Sequence, residues 1–443
     1  MIDGLRPYHE TKPSGLPWLG DVPAHWDVRR NGRLFGSRRE TGYPDLPVLE
    51  VSLRSGVRVR DFDNGTRKQE MGDRSKYQRA ARGDIAYNMM RMWQGAVGIA
   101  PVDGLVSPAY VVARPFAETD AAYYAYVFRT AAYMREVDTF SRGIVPDRNR
   151  LYWESFKQMP SVYPTLDEQR LIVRFLDWHG AQMAKLIRAK QSLLKLIAEE
   201  REALTHDVVS SPGTQQMRLE NIVDHVFRGV EREGSRTYTP VGLFNRGRGI
   251  FQKPTTRGED LGDSTFSWIE EGDLILSGQF AWEGAVALAG TDEAGCIASH
   301  RYHVLRGKQE LVQTIYLSSV LRTSFGHLLL NEHSRGAAGR NRPLNIRTLL
   351  KEKIPVPTQI EQARLVGLVT LEKRLAGSIA KFADRLREFR TRLIADVVTG
   401  KLDVRAAAAS LPETAELEAT DELVEDDDLD EAVDDAENEE VAA

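Results

Sequence analysis

The chain contains one cysteine, Cys296, in 443 residues. A single thiol excludes a disulfide framework and any metal site built on several cysteines, and it fits a reducing cytoplasm. Cys296 reads as a small core residue rather than a nucleophile. No apolar run approaches the ~18 residues needed to span a bilayer. The N-terminal stretch Met1–Gly15 lacks the apolar segment of a secretory signal. Catalytic signatures are missing as well. There is no P-loop, no glycine-rich cofactor loop between a strand and a helix, and no Asn- or Asp-Pro-Pro-aromatic motif for methylating an exocyclic amine. No acidic pair with a lysine stands at nuclease spacing. Arg246-Gly247-Arg248-Gly249 reads as a basic loop. His300 and His303 are read as sharing a strand face, but no third ligand at suitable spacing makes them a zinc site.

Lys and Arg are absent from Leu411–Ala443, which holds sixteen Asp or Glu. That segment dominates the formal net charge of −5. Without it the remaining body carries 59 Lys and Arg and is net basic, which suits a polyanionic partner. The acidic segment reads as a disordered, solubilising tail. A sharper alternative is a DNA mimic that occupies a basic cleft.

What the chain does contain is a repeat. Gly83-Asp84-Ile85 recurs as Gly272-Asp273-Leu274, and Trp93-Gln94-Gly95-Ala96-Val97 as Trp282-Glu283-Gly284-Ala285-Val286, both 189 residues on. Arg129-Thr130 recurs as Arg322-Thr323, and Ser141-Arg142-Gly143 as Ser334-Arg335-Gly336. Pro164-Thr165 with Glu168-Gln169 recurs as Pro357-Thr358 with Glu361-Gln362, and Asp207-Val208-Val209 as Asp396-Val397-Val398. Collinear matches with so little drift indicate duplication of one unit.

Each copy begins with short β-like runs such as Tyr110-Val111-Val112 and Tyr302-His303-Val304-Leu305, followed by short helical stretches. A long helical pattern then takes over. In the first copy Leu186, Leu193 and Ile197 belong to its apolar stripe. In the second, Leu375, Ile379, Phe382, Leu386, Phe389 and Leu393 alternate by four and three, which is a heptad seam. Such helices span roughly 60 Å for roughly 40 residues, and a single seam needs a partner. They pack on each other as an antiparallel pair, or each packs on its own globule. The expected fold is α/β: two mixed α/β domains, with two long helices as an antiparallel coiled-coil spacer. The expected boundaries are 1–160, 161–212 for the first helix, 213–354, 355–402 for the second, and 403–443 for the tail.

The string Ser14-Gly15-Leu16-Pro17-Trp18-Leu19-Gly20-Asp21-Val22-Pro23-Ala24-His25-Trp26 resembles the opening of specificity subunits of type I restriction-modification systems. So do the Pro-Thr-x-x-Glu-Gln junction leading into each helix and the Gly-Asp and Gly-Ala-Val strands. The resemblance covers residues 13 to 402. It implies two target recognition domains on double-stranded DNA, each reading half of a bipartite, gapped target. It also implies that the helices dock two methyltransferase subunits, and that restriction and translocase subunits join the complex. S-adenosylmethionine would sit on the methyltransferase partners, with no cofactor or metal on this chain and no catalysis by it. The competing readings are a coiled-coil scaffold without sequence-selective DNA binding, and a fused DNA-modifying enzyme with an unrecognised site.

Candidate DNA contacts follow from chemistry. Lys and Arg neutralise phosphates, while Arg, Asn and Gln read base edges. Asn88, Arg91 and Gln94 share a loop between two strands, and Gln279 lies in the matching loop of the second copy. Trp93 and Trp282 read as aromatics fixing the loop base. Basic candidates are Arg58, Arg60, Lys68, Lys76, Arg142 and Arg148 in the first copy. In the second they are Arg246, Arg248, Lys253, Arg335, Arg340 and Arg342.

Overall fold

A computed structural model of the chain describes residues 5–53, 55–60, 74–142, 149–211, 214–336 and 342–412. The chain divides into two units. One comprises Met1–Arg188 with the described chain from Lys381 onward; the other is Ala189–Ala380.

In the first unit, strands Phe35–Arg38, Tyr110–Pro115, Ile85–Asn88 and Val97–Ile99 form an antiparallel four-stranded sheet in that spatial order. The second unit repeats it with Val223–Val226, Tyr302–Gly307, Leu274–Ser277 and Val286–Leu288. Both faces of each sheet are covered, so the central strands read as continuous apolar runs rather than alternating ones. Ile85 and Tyr87 enter one core while Ala86 enters another. Leu274 and Leu276 are likewise separated from Ile275. The second face carries a hairpin in each unit, Leu49–Ser52 with Gly56–Val59 and Val241–Phe244 with Gly249–Gln252. The first face carries helices. Ala121–Phe128 and Ala131–Phe140 are capped by the side chains of Asp120 and Thr130. Thr314–Leu321 and Ser324–Glu332 are their counterparts. Phe35, Tyr124, Phe128, Phe156 and Tyr133 form a connected aromatic cluster in the first core, with ring centroids 4.8 to 6.1 Å apart. Cys296 is buried in the second unit, and burial pushes its thiol pKa up, as suits a core residue.

The long helices are Leu166–Ser210 and Gln359–Val398. Their halves fall to different units. In the first unit, Ile172, Phe175 and Leu176 of the first helix share a core with Leu393, Val397 and Val398 of the second. Gly180 lies against Arg390, and Glu168 faces Arg405 beyond the second helix, so the two run antiparallel. In the second unit Leu204 and Val208 share a core with Leu365 and Val369, and Arg201 Nε lies 2.8 Å from Glu372 Oε2. Helix pairing and packing on a globule, posed as alternatives by the sequence, occur together in each unit.

The duplicated residues hold this framework. Gly83 and Gly272 take φ of 89° and 85°, a region that favours glycine. The next residue staples the sheet. Asp84 Oδ2 accepts from Arg38 Nε at 2.5 Å and from the Ala81 amide at 2.9 Å. Asp273 Oδ2 accepts from Arg228 at 2.7 Å and from the Glu270 amide at 2.9 Å. At the start of each long helix a fully buried glutamine performs the same task twice. Gln169 donates to the Pro164 carbonyl at 2.9 Å and accepts from the Asp120 amide at 2.8 Å. Gln362 donates to the Pro357 carbonyl at 3.1 Å and accepts from the Gln313 amide at 2.9 Å. The preceding glutamates diverge. Glu361 caps Thr358, whereas Glu168 turns inward and accepts from Tyr8 at 2.7 Å, with His25 Nε2 at 2.8 Å.

Candidate nucleic-acid interface

The loop after the third strand of each sheet has one geometry and two sets of side chains. Both copies close through a single helical turn, Met92–Gln94 and Ala281–Glu283, ended by a left-handed glycine, Gly95 or Gly284. In the first copy Asn88 Oδ1 accepts the Met90 amide at 2.9 Å. In the second Ser277 Oγ accepts the Phe280 amide at 3.1 Å. The oxygen of Asn88 therefore belongs to the turn. Trp93 is half-buried and donates from Nε1 to the Met90 carbonyl at 3.0 Å. Trp282 is half-buried beneath the Arg342 guanidinium, which lies 4.6 Å from the ring centre. Arg91 and Gln94 are exposed, and Gln279 is half-buried.

Beside this loop the first unit has an open cleft of about 900 Å³. Met89 of the loop lines it, with Lys76 and Arg142 from the sequence-predicted set. The structure adds Arg39, Gln78 and Gln158, and the aromatic rings of Tyr110, Tyr152 and Trp153. Three cations face one acid, Glu154, which is paired with Lys157. Cations, amides and flat rings in an open cleft are the groups that contact phosphates and base edges. Neighbouring arginines serve the framework instead. Arg38 is held by Asp84 and Glu40, and Arg79 by Glu40 and Asp103. The bonds from Arg38 and Arg79 hold the Glu40 carboxyl below its ordinary range.

Other candidates scatter. Arg58 pairs with Glu50 at 2.6 Å on the hairpin, and Arg60 lies 3.9 Å from the same carboxylate. Neither lines the cleft. Lys68, Arg148 and Arg340, together with the acidic run after residue 412, lie outside the described residues. In the second unit Arg246 occupies the hairpin tip with φ 58°, and its amide donates to the Glu283 carbonyl at 2.9 Å. The Gly247 amide donates to the Gly284 carbonyl at 2.8 Å. Arg246, exposed Arg248 and the Gln279 loop are thus joined, with Arg342 on Trp282. Lys253 is half-buried, and its amide meets the Pro240 carbonyl as the Arg60 amide meets that of Val48, both at 2.8 Å. Arg335 is exposed, with Nε 3.2 Å from the Glu332 carbonyl. His300 is not on the strand; it lies in the turn before Tyr302–Gly307, and the ring beside His303 is His225. No group of three or more candidate metal ligands occurs among the described residues. Nor is any helix among them long and apolar enough to cross a membrane.

The seam residues divide by exposure. Ile379 is buried, and Ile197, Leu375, Phe382 and Leu386 are half-buried. Leu186, Leu193 and Phe389 are 45%, 48% and 41% exposed. In the first helix the buried position is Ile187 rather than Leu186. The stripe there is turned by one residue, and two of its leucines are left at the surface.

The backbone compares with solved structures. At TM-score 0.54 and 14% identity it matches a chain from a study of complex assembly and conformational transition of the type I R-M system, covering 85% of this chain and 98% of that one. The chain shares its fold with that chain of a type I R-M system. The HsdS subunit from Thermoanaerobacter tengcongensis is similar at TM-score 0.48 and 14% identity, over 86% of this chain and 98% of that one. The S subunit from M. genitalium is similar at 0.42 and 13%, over 87% and 99%. No family model and no curated protein matches the chain. At these identities the likeness to HsdS subunits is one of fold.

Proposed function

We propose that the chain is a DNA-binding specificity subunit that reads a bipartite, gapped target, one half with each unit. The observation that carries this reading is the paired loop. Its backbone, glycine and tryptophan are repeated, while its outward residues change from Met90, Arg91 and Gln94 to Gln279, Phe280 and Glu283. A scaffold gains nothing from a constant frame with variable outward groups. A reader of two different half-sites requires both. The cations of the first cleft supply phosphate contact, and its amides and rings supply base contact.

In this reading the chain performs no chemistry and binds no cofactor. It docks two methyltransferase subunits, which carry S-adenosylmethionine, and restriction and translocase subunits, all in the cytoplasm. Leu186, Leu193 and Phe389 are apolar, exposed and on the long helices, which supports docking there. The long helices act as the spacer that sets the gap.

Fluorescence anisotropy of the full chain with duplex DNA tests the first step. Binding is expected to weaken steeply as salt rises. Absence of duplex binding at low salt would favour the scaffold. Turnover of DNA by the purified chain with magnesium or S-adenosylmethionine would favour the fused enzyme.

A further inference from the structure

The two units can be compared position by position through strand register. In the first, Tyr110 pairs with Asn88 and Val112 with Arg38. In the second, Tyr302 pairs with Ser277 and Val304 with Val226. His225 therefore stands where the first unit has Ser37, Phe227 where it has Arg39, and His303 where it has Val111. Ser37, Arg39 and Val111 all line the cleft of the first unit. On the corresponding face of the second unit, His225 is exposed, and Phe227 is 67% exposed beside it. The His225 and His303 rings lie 5.5 Å apart at 63° on neighbouring strands.

The chemistry of the two faces thus differs. Arginine at position 39 favours phosphate or guanine. A phenylalanine this exposed costs solvation unless something covers it, and an apolar ring meets the thymine methyl group or a base face. Imidazole offers one donor and one acceptor when neutral and two donors when charged. Partial desolvation of its ring against the sheet holds the pKa of His225 below its ordinary value. Burial together with the facing His225 brings His303 down to about 4. At neutral pH both rings are neutral and suited to base edges rather than phosphates.

We propose that His225, Phe227 and His303 are specificity-determining residues of the second unit, reading bases through neutral imidazole edges and an apolar ring where the first unit uses a cation. This rests on the DNA-reading function above. All three lie at the surface or its margin, so substitution leaves the cores intact.

The test is selection of randomised duplexes by the full chain, followed by sequencing, for the wild type, Phe227→Ala and His225→Gln/His303→Gln. The wild type is expected to enrich a bipartite motif, identical at pH 7 and pH 8. Each variant should relax preference at one or two positions by roughly ten-fold, all within the same half, leaving the other half intact. Thermal melts confirm that the variants fold. A wild-type motif that both folded variants reproduce overturns the proposal, as does one whose halves change equally. A motif that shifts between pH 7 and pH 8 at the affected positions overturns the neutral-imidazole assignment. No motif from the wild-type chain overturns the DNA-reading function itself, and this proposal with it.

Discussion

Replacing Gln169 by alanine should destabilise the first unit and leave the second untouched. The side chain is fully buried. Its loss strands the Asp120 amide and the Pro164 carbonyl, which it now serves at 2.8 and 2.9 Å. An orphaned buried polar group costs about 1–3 kcal/mol. Two such groups, partly relieved by water entering the space, give a loss of about 3 kcal/mol. For a unit of this size that is a fall of roughly 6–12 °C in melting temperature. Gln169→Glu has nearly the same volume but cannot donate to Pro164 and carries a charge, so it should be at least as damaging. Gln362→Ala should do the same to the second unit. Urea-dependent hydrogen exchange reads the units separately, through peptides from Ala121–Phe128 and from Thr314–Leu321. A loss below about 0.5 kcal/mol for Gln169→Ala would refute the reasoning, because that is an ordinary surface effect. So would an equal loss in both peptides.

Further outcomes follow from other groups. Lys76→Ala with Arg142→Ala should reduce the salt slope of duplex binding by up to about two, near 0.9 for each phosphate no longer neutralised; an unchanged slope removes the cleft from the interface. Leu186→Glu with Leu193→Glu should abolish co-purification with a methyltransferase subunit while leaving the melting temperature nearly unchanged, given their exposure. The carboxyls of Glu40 and Asp103 are held below their ordinary values by hydrogen bonds, from Arg38 and from the Arg82 amide respectively. Depressed acids contribute stability above their unfolded pKa values and lose it as pH falls through the folded ones. Acid destabilisation of the first unit should therefore steepen below pH 4.5, the ordinary value for Glu40, and Glu40→Gln should blunt it. His303 has the opposite charge type. Unfolded, it takes a proton near 6.5, whereas folded it waits until about 4. It therefore costs stability as pH falls from 6.5 towards 4, and urea melts of His303→Gln should lose that dependence.

The repeat was legible because its matched residues are structural. Gly83 and Gly272 need a left-handed backbone, Asp84 and Asp273 staple a sheet, and Gln169 and Gln362 anchor a helix. Each is specified locally, so each leaves a trace at fixed spacing. The cleft left no such trace. Arg39, Gln78 and Gln158 come from three distant segments brought together by strand pairing and packing. Charge alone could not separate Arg39, which lines the cleft, from Arg38, which is held by Asp84. The long helices were legible from their period, but not how their halves are shared between units, because both ends of each are apolar. The exposed Leu186 and Leu193 show that periodicity locates a stripe to within about one residue, not which side of it is buried. The His300 assignment failed at a strand boundary, where sequence signals are weakest.

Two readers on one chain are tested most directly by sequencing modified bases in the genome of a cell that expresses this chain together with a type I methyltransferase subunit from the same host. Adenine methylation is expected at a motif of two specific halves separated by a fixed gap of unspecified bases, and it should disappear when this chain alone is deleted. A continuous motif, or one that persists without the chain, would contradict the two-reader function.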